Sequence, residues 1–233
     1  MAGATDRGLR YRVLRRFRGL RRFGATPRLI PEGAAGVMVI GHRDYVGGMW
    51  EEMGQLQFDF LLSRGLQPQH VLLDIACGSL RAGVHFIRYL DRGNYLGIDK
   101  EKVLIQRALS KELPREVREE KCPEFVTSDA FEFERFSRRP DFSLAQSLFT
   151  HLNPGDVEQC LVNLRAFVAP QHQLYATFAP GANSDESRSH ARGSFYYSSD
   201  ELAAIGERTG WRCDYIGDWG HPRKQVMMQF TAA

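Results

Sequence analysis

The sequence predicts an α/β fold built on a mostly parallel sheet. Short apolar runs alternate with segments of helical periodicity. The runs lack an in–out alternation, so they read as strands buried on both faces. The last two runs are separated only by the turn Gly220-His221-Pro222-Arg223, which makes them an antiparallel hairpin at the sheet's end or edge.

The elements follow in chain order. In the first segment Leu9, Val13, Phe17, Leu20 and Phe23 fall on one helical arc, interrupted by Arg16. Residues 24–43 hold Gly24, Pro27, Pro31, Gly33, Gly36 and Gly41 and read as a linker. Trp50, Met53, Leu56, Phe60 and Leu61 recur at helical spacing, ending near Gly65 and Pro68. Val71 to Ile75 is the first strand, followed by a helix on Leu80, Val84, Ile87 and Leu90. Tyr95 to Ile98 is the second strand. A helix through Val103, Leu104 and Leu109 follows it, to about Leu113, limited by Pro114. Phe125 to Thr127 and Phe142 to Gln146 are the third and fourth strands. Asn153-Pro154 caps and opens a helix with the stripe Val157, Leu161, Leu164 and Val168. Leu174 to Phe178 is the fifth strand, and polar residues 179–194 form a long loop. Ser198 and Glu201 form a capping box before a helix stopped at Gly210. Residues 212–218 and 225–231 make the closing hairpin.

Composition bounds the rest. A chain of 233 residues, 43% apolar and 25% charged, is a globular domain of ordinary size. No apolar run approaches the roughly 20 residues of a membrane-spanning helix. Cys77, Cys122, Cys160 and Cys213 are scattered, which argues against a structural zinc site and a disulfide framework. A reducing cytosol is the expected compartment, and the N-terminus lacks a secretory pattern. Residues 1–30 carry nine arginines and one acid, a net +8, so the remainder carries −5. The basic character therefore belongs to an arm, residues 1–43 with the linker, ahead of a mildly acidic domain, residues 44–233. Residues 7–28 suit an anionic membrane surface at the inner face, with nucleic acid second. A solvated arm or a helix on a partner subunit stays open.

In open α/β sheets, ligands bind beyond the carboxyl ends of the strands. Asp74, Asp99, Asp129 and Gln146 stand there. Small residues at Ala76, Gly78 and Ser79 let a ligand approach the backbone. Asp99 can accept hydrogen bonds from both hydroxyls of a ribose. A dinucleotide needs Gly-x-Gly-x-x-Gly, whereas the corresponding positions are Ala76, Gly78 and Arg81. Asp74 would also oppose a diphosphate. A ligand with a cationic group near Asp74 and a ribose near Asp99 fits better, and S-adenosylmethionine has both. Alternatively, Asp74 is a strand-end aspartate and Asp99 caps the next helix.

On these residues the chain resembles the class I S-adenosylmethionine-dependent methyltransferases, from about Tyr45 to the C-terminus. VLLDIACGSLRAG is similar to that family's first motif, with Ala76 where glycine is usual. YLGID is similar to the second, SDAF to the third, and AQSLFTHL to the strand-four segment of the small-molecule branch. Tyr45 to Trp50 and Trp219 to Gln225 resemble a bacterial subgroup that includes glycan- and natural-product-associated members. The resemblance implies a Rossmann-like seven-stranded sheet with helices on both faces and its last strand antiparallel between the fifth and sixth. It assigns cofactor contacts to Asp74, Ala76, Cys77, Gly78, Ser79, Arg81, Asp99, Lys100, Asp129, Ala130, Gln146 and Ser147. Asp129 would meet the adenine amino group and Ala130 the ring edge.

Methyl transfer needs alignment and, for a hydroxyl acceptor, a base. His151 after the fourth strand and His221 in the hairpin turn are the candidate catalytic residues. The family topology would bring both to one pocket. The alternatives are a backbone-bonded His151 and an exposed turn His221. His190, in the polar loop, reads as structural. Tyr45, Trp50, Tyr197 and Trp219, with Tyr196, can line an acceptor pocket or pack in the core. No metal-ligand spacing, Gly-x-Ser-x-Gly, Gly-Lys-Thr loop or Asn-Pro-Pro-Tyr is present. The expectation is O-methylation of a small-molecule, glycan or lipid-linked acceptor. The alternatives are an RNA or protein methyltransferase docking through the arm, and a non-catalytic nucleotide-binding protein.

Overall fold

A computed structural model describes residues 30–182, 189–190 and 193–232. The basic segment 7–28, with its apolar arc, lies outside the described residues, as do residues 183–188 and 191–192 of the polar loop.

Strands β1 (Leu72–Ile75), β2 (Tyr95–Asp99), β3 (Glu124–Thr127), β4 (Phe142–Ala145) and β5 (Gln173–Pro180) run parallel. Every residue of β1, β2 and β4 is buried, which is why these strands read as apolar runs. Strands β7 (Trp211–Asp218) and β8 (Val226–Ala232) form the expected antiparallel hairpin. β8 inserts beside β5, giving the order β3-β2-β1-β4-β5-β8-β7. The sheet has one strand more than expected: β6 (Tyr196–Tyr197) pairs with the end of β5. Two residues emerging from a polar loop leave no periodic signal.

Alternate residues of each strand feed opposite cores. Leu73 and Ile75 pack with Val157, Leu161 and Leu164 of α7 (Pro154–Phe167) and with Leu202 of α8 (Ser199–Arg208). Leu72, Tyr95 and Leu144 face Met53 and Leu61 of α3 (Trp50–Ser63) and Val84 and Phe86 of α4 (Gly83–Tyr89). Helices therefore cover both faces, with α5 (Lys102–Lys111) after β2. Both capping signals form as read: the Asn153 carboxamide accepts from the Asp156 N–H at 2.9 Å, and Ser198 and Glu201 close a capping box. Helix α6 (Arg115–Lys121) had no sequence signal, since none of its residues is buried.

The linker reading is corrected over its second half. Residues Gly33–Ile40 form α1, and His42–Tyr45 form the short α2. Val37 and Tyr45 pack on Leu104 of α5. A side chain at Gly36 would come within 2.0 Å of the Pro31 carbonyl and 2.6 Å of the Tyr45 ring, so this glycine allows packing and does not mark slack chain. Glu112 accepts from His42 and Arg43, both at 2.6 Å, and ties α2 to the end of α5. The sheet edge is thus roofed by residues 42–49.

Candidate functional site

The turn after β1 alternates its backbone hand. Ala76, Gly78 and Leu80 have φ of 60°, 55° and 66°. Alanine replaces the usual glycine by adopting the left-handed conformation itself, at a cost of about 1–2 kcal/mol. Arg81 stands where a third glycine would be, and Gly83 makes the close approach instead. A Cβ on Gly83 would lie 2.5 Å from the Tyr95 hydroxyl.

That hydroxyl donates to Asp74 at 2.7 Å. Burial raises the Asp74 carboxyl to about 7, against the Tyr95 hydrogen bond, with Asp99 adding repulsion. Asp99 accepts from the Gly78 N–H and the Glu101 N–H, each at 2.8 Å. Burial raises it to about 6, against those two bonds. Asp99 thus serves the turn and the start of α5 together. Among the described residues, neither carboxylate has an ion-pair partner within 4.0 Å. Cys77 is buried between them, and burial pushes its thiol well above the ordinary value. Ser79 donates to the His42 carbonyl at 3.2 Å, beneath the roof. Lys100 is half exposed, 3.9 Å from Glu32. Asp129 and Ala130 are exposed after β3, where Asn163 donates to the Ala130 carbonyl.

A second group of polar residues gathers at the ends of β4 and the hairpin. A small open cleft is lined by Val46, Met49, Met53, Arg81, Gln146, Ser147, His221 and Arg223. Arg81 donates to the Val46 and Gly48 carbonyls at 3.1 and 2.9 Å and to Gln146 Oε1 at 2.6 Å. Burial, then the Arg223 charge, lowers Arg81 to about 10, against the attraction of Asp74. Ser147, at φ 62°, donates its N–H to Thr177 Oγ1, and its hydroxyl accepts from Gln225. The Gln225 carbonyl accepts in turn from Thr177, closing a small network under the cleft floor.

The catalytic candidates separate. His221 lines the cleft, buried, its ring 5.5 Å from Trp219. Its Nδ1 accepts the Arg223 N–H at 3.1 Å, so the neutral ring carries its proton on Nε2. Burial, then Arg81 and Arg223, lowers it to about 4. His151 bonds through Nδ1 to the Gly193 carbonyl at 2.8 Å, the backbone bond considered above, and is not among the cleft-lining residues. That bond leaves the neutral ring's lone pair on Nε2.

The aromatic candidates also divide. Tyr45 accepts from the Gly33 N–H and packs beside Val37. Tyr197 is buried and donates to the Leu152 carbonyl at 2.6 Å. Trp50 lies under the Arg43 guanidinium at 4.5 Å and meets His42 edge-on. Trp219 stacks between Phe60 and His221, behind the cleft. Sequence reasoning named neither Arg223 nor Gln225 as a site residue. Both sit in the Trp219–Gln225 stretch, which was the available signal.

No family model matches the chain. Solved structures do match its fold. The magnesium protoporphyrin IX methyltransferase of Synechocystis PCC 6803 with bound S-adenosylmethionine is 14% identical at a TM-score of 0.61, over 82% of this chain and 89% of that one. The S-adenosylhomocysteine complex of DhpI is 17% identical at 0.60, over 82% and 91%. Human N-acetylserotonin methyltransferase in complex with S-adenosylmethionine is 11% identical at 0.62, over 92% of this chain and 62% of that one. The chain therefore has the class I S-adenosylmethionine-dependent methyltransferase fold.

Proposed function

We propose that the protein is an S-adenosylmethionine-dependent methyltransferase that O-methylates a small-molecule, glycan or lipid-linked acceptor. The observation that carries this reading is the pair of buried carboxylates, Asp74 and Asp99, on either side of a glycine-containing turn at adjoining strand ends, with no ion-pair partner among the described residues. The donor set fits the cofactor. Asp99 keeps lone pairs for ribose hydroxyls, and Asp74 offers a negative group to a cation. The presence of S-adenosylmethionine or S-adenosylhomocysteine in structurally similar proteins supports the same cofactor.

When bound, the cofactor supplies an activated methyl group on a sulfonium. The protein's task is then chiefly alignment, worth about 7–11 kcal/mol in well-oriented reactions. Asp74 and Asp99 hold one reactant; His221 borders the cleft for the other, and Gln146 and Ser147, which the resemblance gives to the cofactor, share the lining of that cleft. His221, neutral and donating from Nε2, orients an acceptor oxygen there. His151, bonded through Nδ1 to the Gly193 carbonyl, is the candidate base for a hydroxyl acceptor. The basic segment 7–28 is proposed to hold the enzyme at an anionic membrane surface. Co-sedimentation with phosphatidylglycerol vesicles but not phosphatidylcholine vesicles, lost on deleting residues 1–28, would support that.

The test is calorimetric titration with S-adenosylmethionine, S-adenosylhomocysteine and NAD, alongside Asp99→Ala. Binding of the first two, weakened in the variant and absent for NAD, is expected. Binding of NAD alone would move the protein to the oxidoreductases.

A further inference from the structure

The cleft has an unusual hydrogen-bond inventory. Among the described residues, none of those lining it is acidic. Gln146 spends its carbonyl on Arg81, so its amide N–H₂ faces His221, with Nε2 to Nε2 at 3.3 Å. His221 Nδ1 accepts from the Arg223 backbone, which favours the proton on Nε2. Which of these two nitrogens donates depends on the ring's tautomer, and among the described residues no acidic group stands beside them. Among the described residues, Arg81 Nε and, beside His221, Trp219 Nε1 are buried without a hydrogen-bond partner. A buried donor left unsatisfied costs about 1–3 kcal/mol.

The arginines add charge to this surplus. Arg223 reaches back to the Gly47 carbonyl at 2.6 Å, and Arg81 holds the carbonyls on either side. A Cβ built on Gly47 would lie 3.0 Å from Arg223 Nη1 and 3.8 Å from Arg81 Nη1, so both guanidinium groups converge on one point. Among the described residues, neither has an ion-pair partner within 4.0 Å. The charge that acts favourably on Arg81 is that of Asp74, through space.

We propose that the methyl acceptor carries an anionic group, a carboxylate or a phosphate, bound between Arg81 and Arg223 with the N–H groups of Gln146 and His221. The inference rests on the methyltransferase reading and names the acceptor's chemistry. Planar forked guanidinium groups suit either anion. Position separates the anion from the ribose end of the cofactor, while Arg81 itself lies in the turn after β1, within electrostatic reach of Asp74. Gln146, Ser147, His221 and Arg223 stand at β4 and the hairpin turn, whereas Asp99 ends β2, on the far side of β1. Two arginines also repel a sulfonium, so they favour an anion belonging to the other reactant.

The test uses the full chain saturated with S-adenosylhomocysteine, titrated calorimetrically with malonate, inorganic phosphate and neutral malonamide. Arg223→Gln and Arg223→Lys are run beside it. Malonate or phosphate should bind and malonamide should not. The preferred anion identifies the acceptor's group. Arg223→Gln should weaken the anion at least tenfold, and Arg223→Lys less. S-adenosylhomocysteine affinity should stay within about threefold in both, which also shows that the variants fold. Equal binding of malonamide, or no anion binding to the wild type, would overturn the proposal. So would anion binding seen only without S-adenosylhomocysteine, because the cleft would then hold the cofactor's own carboxylate. Failure of S-adenosylhomocysteine itself to bind would instead overturn the methyltransferase reading, and this inference with it.

Discussion

The two sides of the strands' carboxyl ends carry opposite chemistry. At β1 and β2, two buried carboxylates have no ion-pair partner among the described residues. At β4 and the hairpin turn, two arginines converge beside Gln146 and His221, with no acid among the described lining residues. The first half is local: Asp74 and Asp99 come from adjoining parallel strands, in register with Gly97 and Thr127. The second is assembled from distant parts of the chain, and its Arg223–Gly47 contact spans 176 positions. The contrast suggests a division of labour, with a cationic reactant on the acidic half and an anionic one on the basic half.

The sharpest way to break that division is to remove one charge from each half. Asp99→Ala should weaken S-adenosylhomocysteine by about 10- to 100-fold, the worth of charge-assisted hydrogen bonds. Arg223→Ala should change it less than about threefold. Comparable losses in both, measured by calorimetry, would merge the two halves into one site.

The roof that joins the halves gives the next effect. Gly47 has φ of 97°, and any side chain there meets Arg223. Gly47→Ala should cost about 1–2 kcal/mol of stability, read from denaturant unfolding. No loss would mean that residues 46–48 are not fixed by the arginines.

Acidity distinguishes the halves more gently. Burial holds Asp74 at about 7 and Asp99 at about 6. The ligand's ammonium group prefers the ionised carboxylates, so S-adenosylhomocysteine affinity should rise severalfold from pH 5.5 to 7.5, and less so in Asp74→Asn. The same raised values act oppositely on folding. The folded state holds protons the unfolded state has released, so Asp74 favours folding below about pH 4, and that contribution is lost as pH rises through about 7. Asp74→Asn should therefore gain relative stability towards neutral pH. A parallel pH dependence in the variant would remove Asp74 from the account.

The smallest effect tests the altered turn. Ala76→Gly should raise stability by up to about 1 kcal/mol, since relief of the left-handed alanine is partly offset by glycine's freedom when unfolded. A loss would show that the Ala76 methyl group contributes packing.

The same contrast explains what could be read from the sequence. The acidic half was legible because a buried strand, a small-residue turn and a strand-end aspartate each leave a local mark. Both helix caps, at Asn153 and Ser198, were legible for that reason. The donor-lined half was legible only in pieces. Arg81, Gln146 and His221 were named, but Arg223 was not, because nothing local tells a turn arginine that reaches the roof from one in solvent. Tyr45 was named for its place beside a motif, yet its hydroxyl closes the α1 turn at Gly33. The glycine count of residues 24–43 read as slack, whereas Gly36 permits a tight packing contact. Helix α6 and strand β6 bury too little or run too short to impose a period.

The most direct test is a crystal structure of the full chain with S-adenosylhomocysteine and malonate. The account predicts ribose hydroxyls on Asp99, the amino group towards Asp74, and malonate between Arg81 and Arg223. A homocysteine carboxylate lodged between those two arginines, with malonate excluded, would contradict it.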